Sequence, residues 1–303
     1  MRLLALSAAA AAALCLLISA HAARTANVTP APPAQAKPFG PGCALPFDAI
    51  EAKHPIDGTC PSGGKASLAA DGSQPHVLQN LAKNNFCVTD DPTPISYNAF
   101  VALQAAVNKM SNFTWGSGEK MPADRSPLQN LKIKDGGRGL TVGEGSKVSF
   151  VGYVMAYEFA DAEKGEDVNC DLGGDENNDI HLTLRTKPRL ILKRPPGATD
   201  PRCNSVSAEV SPHFRPAAWS KLAAASSNTL FAKYPLRITG ALTFDAEHLP
   251  CVNGKPHSGS PVRISVWEIH PVYSVDVCKY ATLARCQASN DAAWTPFDQK
   301  VAQ

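Results

Sequence analysis

The ordering of apolar and polar positions is sharpest beyond Gly143. Lys147 to Phe159 (KVSFVGYVMAYEF) is a long β-rich run, and Gly152 within it predicts a bend or bulge. The segment Asp179-Ile180-His181-Leu182-Thr183-Leu184 alternates strictly and predicts a second strand, and Ser205 to Ser211 (SVSAEVS) a third. Pro216 to Ala225 (PAAWSKLAAA) is Ala-rich with Pro at its start, which predicts a helix. Leu236 to Phe244 (LRITGALTF) predicts a fourth strand, and Val262 to Val277 a long fifth, interrupted at Pro271. Upstream, Phe100, Leu103, Val107 and Met110 recur at helical spacing behind a Ser cap and predict a helix over Ser96 to Met110.

Three strands, a helix and two strands is the order of an OB-type Greek-key barrel, and a long first strand with an internal Gly suits a barrel corner. A β-sandwich would want about seven short strands and has no place for the helix. The expected fold is therefore mainly β. An OB-like five-stranded Greek-key barrel spans 143–278, with one helix between strands 3 and 4. A small, loop-rich, disulfide-stapled segment with one helix precedes it over 42–140, and a tail follows over 279–303.

The N-terminus changes the picture of where this fold works. Arg2, an apolar Leu3 to Ser19 and the small-x-small Ala20-His21-Ala22 predict a cleaved signal peptide over 1–22. An Ala/Pro-rich linker is expected over 23–41. Of nine cysteines, Cys15 leaves with the signal. Cys43, Cys60, Cys87, Cys170, Cys203, Cys251, Cys278 and Cys286 remain, an even set with no C-x-x-C spacing, so disulfides of open pairing are expected rather than a structural zinc site. The mature chain has no second apolar run long enough to span a bilayer, which predicts a secreted or periplasmic protein. Asn27 and Asn112 lie in N-x-T sequons, which matter only in a eukaryotic secretory path.

With 29 basic and 27 acidic residues, the chain has no field of the kind that drives nucleic-acid binding. Nine acidic residues against Lys164 alone fill Glu158 to Asp179. Asp171, Asp175, Glu176, Asn177 and Asp179 there offer oxygen ligands for Ca²⁺, though a solvated charge run is the simpler expectation. Arg185, Lys187, Arg189, Lys193, Arg194 and Arg202 line the next connection and are expected to answer the acidic loop. That stretch has no aromatic side chain on which bases could stack, which again disfavours nucleic acid. Nucleophile-elbow, P-loop and dinucleotide-binding motifs are absent from the sequence.

Strand parity supplies the candidate chemistry. Ile180, Leu182 and Leu184 share one face of the second strand, leaving Asp179, His181 and Thr183 on the other. By the same rule Glu209 projects from the third strand, and Glu268 and His270 from the fifth. His181, Glu209, Glu268 and His270 are then expected to form a patch on one outer wall of the barrel, with His213, Asp245 and His248 at its rim. Two imidazoles and two carboxylates suit Zn²⁺ or Mn²⁺, and Zn, Mn or Ca is the candidate cofactor. A hydrogen-bonded polar network is the simpler account.

The ordered motifs Asn178-Asp179-Ile180-His181, Glu209-Val210-Ser211-Pro212-His213, Arg237-Ile238-Thr239-Gly240, Asp245-Ala246-Glu247-His248 and Trp267-Glu268-Ile269-His270-Pro271-Val272 resemble those of a group of uncharacterised bacterial exported proteins. That group shares an OB-like domain ending in the W-E-I-H-P-V strand, and the resemblance covers about Gly143 to Cys278. It implies the fold and carries no activity. The functional expectation is a non-catalytic binding module that uses the outer barrel face and its charged loops on an envelope or extracellular partner. A metal-dependent hydrolase with a His/Glu site on that face and a structural envelope protein are the alternatives.

Overall fold

The structure, a computed structural model, describes residues 56, 59–67, 74–86, 88, 90–111, 113, 122–188, 199–258 and 260–302. The expected signal peptide and linker, Cys15, Cys43, Cys87, Asn27, Asn112, Arg189, Lys193 and Arg194 lie outside them.

Five strands close a mixed barrel: β4 (Lys147–Phe159), β5 (Ile180–Arg185), β6 (Val206–Val210), β7 (Leu236–Phe244) and β8 (Trp267–Cys278). Their order around the barrel is β4-β5-β6-β8-β7, with β7 pairing back onto β4. The β6–β8 pairing is parallel and the other four are antiparallel. β4 serves two neighbours in turn: Lys147 to Gly152 pair with β7, and Tyr153 to Phe159 with β5. The change of partner falls at Gly152, where an added Cβ would stand 2.8 Å from the Phe150 ring and 3.1 Å from the Arg185 carbonyl. The corner thus needs a residue without a side chain. Alternate residues fill the interior: Ile180, Leu182 and Leu184, Val206, Ala208 and Val210, and Trp267 and Ile269 are all buried in one core.

Around the barrel stand β1 (Thr93–Ile95), which runs parallel to β4, and β9 (Trp294–Pro296), which pairs with β8. A separate hairpin joins β2 (Leu131–Asp135) to β3 (Arg138–Val142). Its two-residue turn is Gly136-Gly137, at φ 59° and 96°. That backbone favours glycine and accounts for the Gly136-Gly137 pair. Helix α2 (Tyr97–Val107) buries Ala99, Phe100, Leu103 and Val107 against the core, and Ser96 caps it by accepting from the Asn98 N–H. Helices α1 (Gln74–Lys83), α3 (Asn228–Lys233) and α4 (Phe297–Val301) are the other α-helices among the described residues.

Two expectations shift. Ala217–Ala223 is a 3₁₀ helix, and the α-helical turn comes later, as α3. The Trp219 and Leu222 side chains are buried three residues apart, which matches three residues per turn. The last barrel strand begins at Trp267 rather than Val262, because the buried Arg263 lies in the connection before it and bonds to acidic side chains.

Three disulfides join described cysteines: Cys60–Cys170, Cys203–Cys251 and Cys278–Cys286. Cys60 thus bonds to the acidic loop of the barrel rather than within its own segment. No helix among the described residues is long and apolar enough to cross a membrane.

Candidate functional site

On β5 and β6 the register sets His181 directly opposite Glu209, and the parallel pairing sets Glu268 on β8 beside Ser207. Alternation then carries Glu209, Glu268 and His270 to the outer face, where they meet. His270 Nδ1 lies 2.9 Å from Glu209 Oε2 and 3.4 Å from Glu268 Oε1, and its Nε2 lies 3.3 Å from Asp179 Oδ2. His181 Nε2 lies 3.4 Å from Glu209 Oε1 and 3.5 Å from Glu166 Oε1. All four residues of the expected patch are brought together, and Asp179 joins them.

The patch is covered. Helix α1 lies over it and turns polar groups inward: Gln79, Asn80, Lys83 and the following Asn84 are all buried. Lys83 Nζ stands 3.6 Å from Glu268 and 3.8 Å from Glu209. Asn80 donates to the Gly63 carbonyl and to Asp167, and Asn84 to the Ser62 carbonyl. The Cys60–Cys170 bond fixes this same neighbourhood to the 160–179 loop. That loop is only partly the solvated run expected of it, since Glu166 and Asp179 turn toward the imidazoles.

Asp245, expected at the rim, is fully buried and joined to the network through Arg263. The Arg263 guanidinium spans 2.5 Å to Glu268 and 2.6 Å to Asp245. His248 Nδ1 lies 2.8 Å from Asp245. His213 is buried past the end of β6 with its ring against Phe214. Arg202 of the basic connection pairs with Asp200 of its own stretch at 2.8 Å and also feels the charge of Glu158, at the start of the acidic run.

Packing charges this densely shifts their titration. Burial opposes a charge on His270, but the Asp179 charge and the bonds to Glu209 and Glu268 outweigh it and push it up to about 10. His181 also reaches about 10, with Glu209 and Glu166 overcoming its burial. Burial likewise disfavours the Glu209 carboxylate, yet His181 and Lys83 hold it well below the usual range. Lys83, His248 and Arg263 do the same for Asp245. Asp179 moves the other way, raised by its burial and by the Glu166 charge.

A cavity of about 550 Å³ opens beside the network, over the outer face of β4, β5 and β6. Its lining includes Glu166, His181 and Lys83, Ala156, Glu158 and Thr183 from the strands, and Arg202, Glu247 and His248. Among the described residues, three groups of acids and histidines are close enough to hold a cation: Glu166, Asp179 and His181; Asp179, Glu209 and His270; and Asp245, Glu247 and His248.

Lys83, Glu166 and Arg263 are the members that strand parity does not reach, for none lies on a barrel strand. Comparison of the chain with family models, with curated proteins and with solved structures finds no match.

Proposed function

We propose that this chain is an exported, non-catalytic binding protein whose ligand seats in the cleft over the outer face of β4, β5 and β6. The position of that cleft carries the reading. The strand order β4-β5-β6-β8-β7, closed on β4 with β6 and β8 parallel, is compatible with an OB-like Greek-key barrel. Ligands of that fold seat on the face of the second and third strands, between the loops that follow the first and fourth. Here His181, Thr183 and Ser207 come from those two strands, and Glu166 and Glu247 from those two loops. The volume suits a small polar molecule or a short length of polymer. Export is supported by the N-terminal pattern of Arg2 to Ala22 and by the disulfides. The motif resemblance to the OB-like exported group supports the same reading.

The test fills the cleft without touching the buried charges. Ala156 is exposed on β4 and lines the cavity, so Ala156→Trp occupies it while leaving the fold intact. Oligosaccharides and short peptides are titrated calorimetrically in EDTA against wild type and this variant. A ligand that binds wild type and is lost by Ala156→Trp supports the reading. It is overturned when the panel binds neither protein, or both equally.

A further inference from the structure

The charges beside the cleft balance only while its histidines carry protons, and a bound cation could take the place of those protons. Five carboxylates, Glu166, Asp179, Glu209, Asp245 and Glu268, meet two permanent cations, Lys83 and Arg263. Arg263 is committed to Asp245 and Glu268. Glu166, Asp179 and Glu209 are left with two imidazoles and the more distant Lys83 ammonium. Buried charges of one sign are costly unless a counter-charge joins them.

The ligand atoms are also oriented. Asp179 Oδ2, Glu209 Oε2 and His270 Nε2 are fully buried, and so is the His181 Nε2 atom. Asp179 Oδ2, His181 Nε2 and His270 Nε2 have no hydrogen-bond partner among the described residues, whereas Glu209 Oε2 faces His270 Nδ1 at 2.9 Å. Asp179 and His270 are wholly inaccessible, and Glu209 is 2% exposed. His270 Nδ1 sits between two carboxylates, which holds its proton there, so Nε2, facing Asp179, is the nitrogen that would give up its proton to a metal. A carboxylate behind a histidine in this way is the arrangement that orients metal-ligating imidazoles. The 3.3 Å separation of His270 Nε2 and Asp179 Oδ2 also suits two ligands on one ion, since metal–ligand bonds of about 2.0–2.2 Å at a tetrahedral angle place their ligand atoms about 3.3–3.5 Å apart.

We infer that a divalent transition-metal ion of the Mn–Zn series binds at the floor of the cleft. Asp179 is the ligand common to two candidate groups: His181 and Glu166 join it from the cleft side and His270 Nε2 from beneath α1, with Glu209 holding the His270 Nδ1 proton. Glu268 and Arg263 act behind them as positioning residues. The mixed imidazole and carboxylate donors favour such an ion over Ca²⁺ or Mg²⁺, which prefer all-oxygen shells. The site deepens the reading of the cleft as the ligand site and rests on it only for the claim that the ion faces the ligand.

The oxidised protein, exported and purified without a His tag, is dialysed against EDTA and titrated with Co²⁺, Zn²⁺ and Mn²⁺. Bound metal is counted by elemental mass spectrometry, and Co²⁺ ligation is read from its visible absorption. One ion per chain is expected, with affinity reduced at least tenfold in Asp179→Asn, which keeps the side-chain shape. Glu166→Gln, in the loop and partly accessible, should weaken binding in the same direction and serves if Asp179→Asn does not fold. Failure of all three ions to bind wild type overturns the site, as does full binding by both variants, which would place the ion elsewhere. Because the cleft titrations are run in EDTA, a ligand result without metal removes only the ion. Metal binding without any cleft ligand removes only the binding reading.

Discussion

Inside the barrel, Ile180, Leu182, Leu184, Val206, Ala208 and Ile269 meet in a core with no charge. On the opposite face of the same strands, Glu209, Glu268 and His270 are just as inaccessible, yet nearly every contact they make is ionic. The interior stabilises the fold by removing hydrocarbon from water, at roughly 25 cal/mol per Å². The outer face must first repay the desolvation of every ion, and well-packed apolar residues often hold such positions as well or better. Equal burial therefore hides two different reasons for being buried. The charged face is what a binding role accounts for, since stability alone would favour hydrocarbon there.

The largest effect should come from removing one side of the outer network. Arg263→Ala leaves Asp245 and Glu268 buried without their shared guanidinium and is expected to cost about 3–5 kcal/mol by urea denaturation. A loss below about 1 kcal/mol would mean that these charges are solvated after all. On the inner face, Leu182→Ala should cost about 2–5 kcal/mol, in the lower part of that range if the barrel relaxes around the void. The two variants separate further in salt, since only the first involves charge.

The faces should also differ in their response to pH, measured on chelated protein. His181 and His270, raised to about 10, hold protons that the unfolded chain releases above about pH 6.5. Their contribution is complete below that pH and disappears as pH rises through about 10. Glu209 and Asp245, held low, contribute above the ordinary carboxylate range and lose that contribution as pH falls through their lowered values. Urea midpoints from pH 3 to 10 should form a plateau near pH 5–6.5 that declines on both sides. A profile with no alkaline decline would contradict the pairing of the two histidines. The smallest effect is reserved for Asp291→Ala. Its carboxylate pairs with Arg237 at 2.7 Å but is 89% exposed, so the cost should stay within about 1 kcal/mol. A larger loss would break the claim that burial, rather than charge, separates the two kinds of ion pair.

Strand alternation was enough to place His181, Glu209, Glu268 and His270 on one face, because a period of two leaves no other choice once the apolar set is inside. It could not say that this face is covered. α1 escapes a hydrophobic reading because the side it presents to the barrel is Gln79, Asn80 and Lys83, so its sequence QPHVLQNLAK carries no full apolar stripe. Arg263 was hidden for a related reason: it reads as part of the fifth strand, whereas the chain there is a connection that turns the guanidinium in. Glu166 looked like one more member of an acidic run. Only its partner across the loop, His181, distinguishes it. The β2–β3 hairpin was within reach of local rules, since two glycines between alternating segments are a turn signal.

The Cys60–Cys170 bridge links residues 110 apart, and the loop it closes contains α1, α2, the hairpin and all of β4. Topologically, the covering helix belongs to a macrocycle with the barrel's first strand. A protease that nicks the exposed Gly136-Gly137 turn would open that ring without releasing either part. The nicked molecule would run as one species until reduced, and α1 would stay tethered above the buried charges.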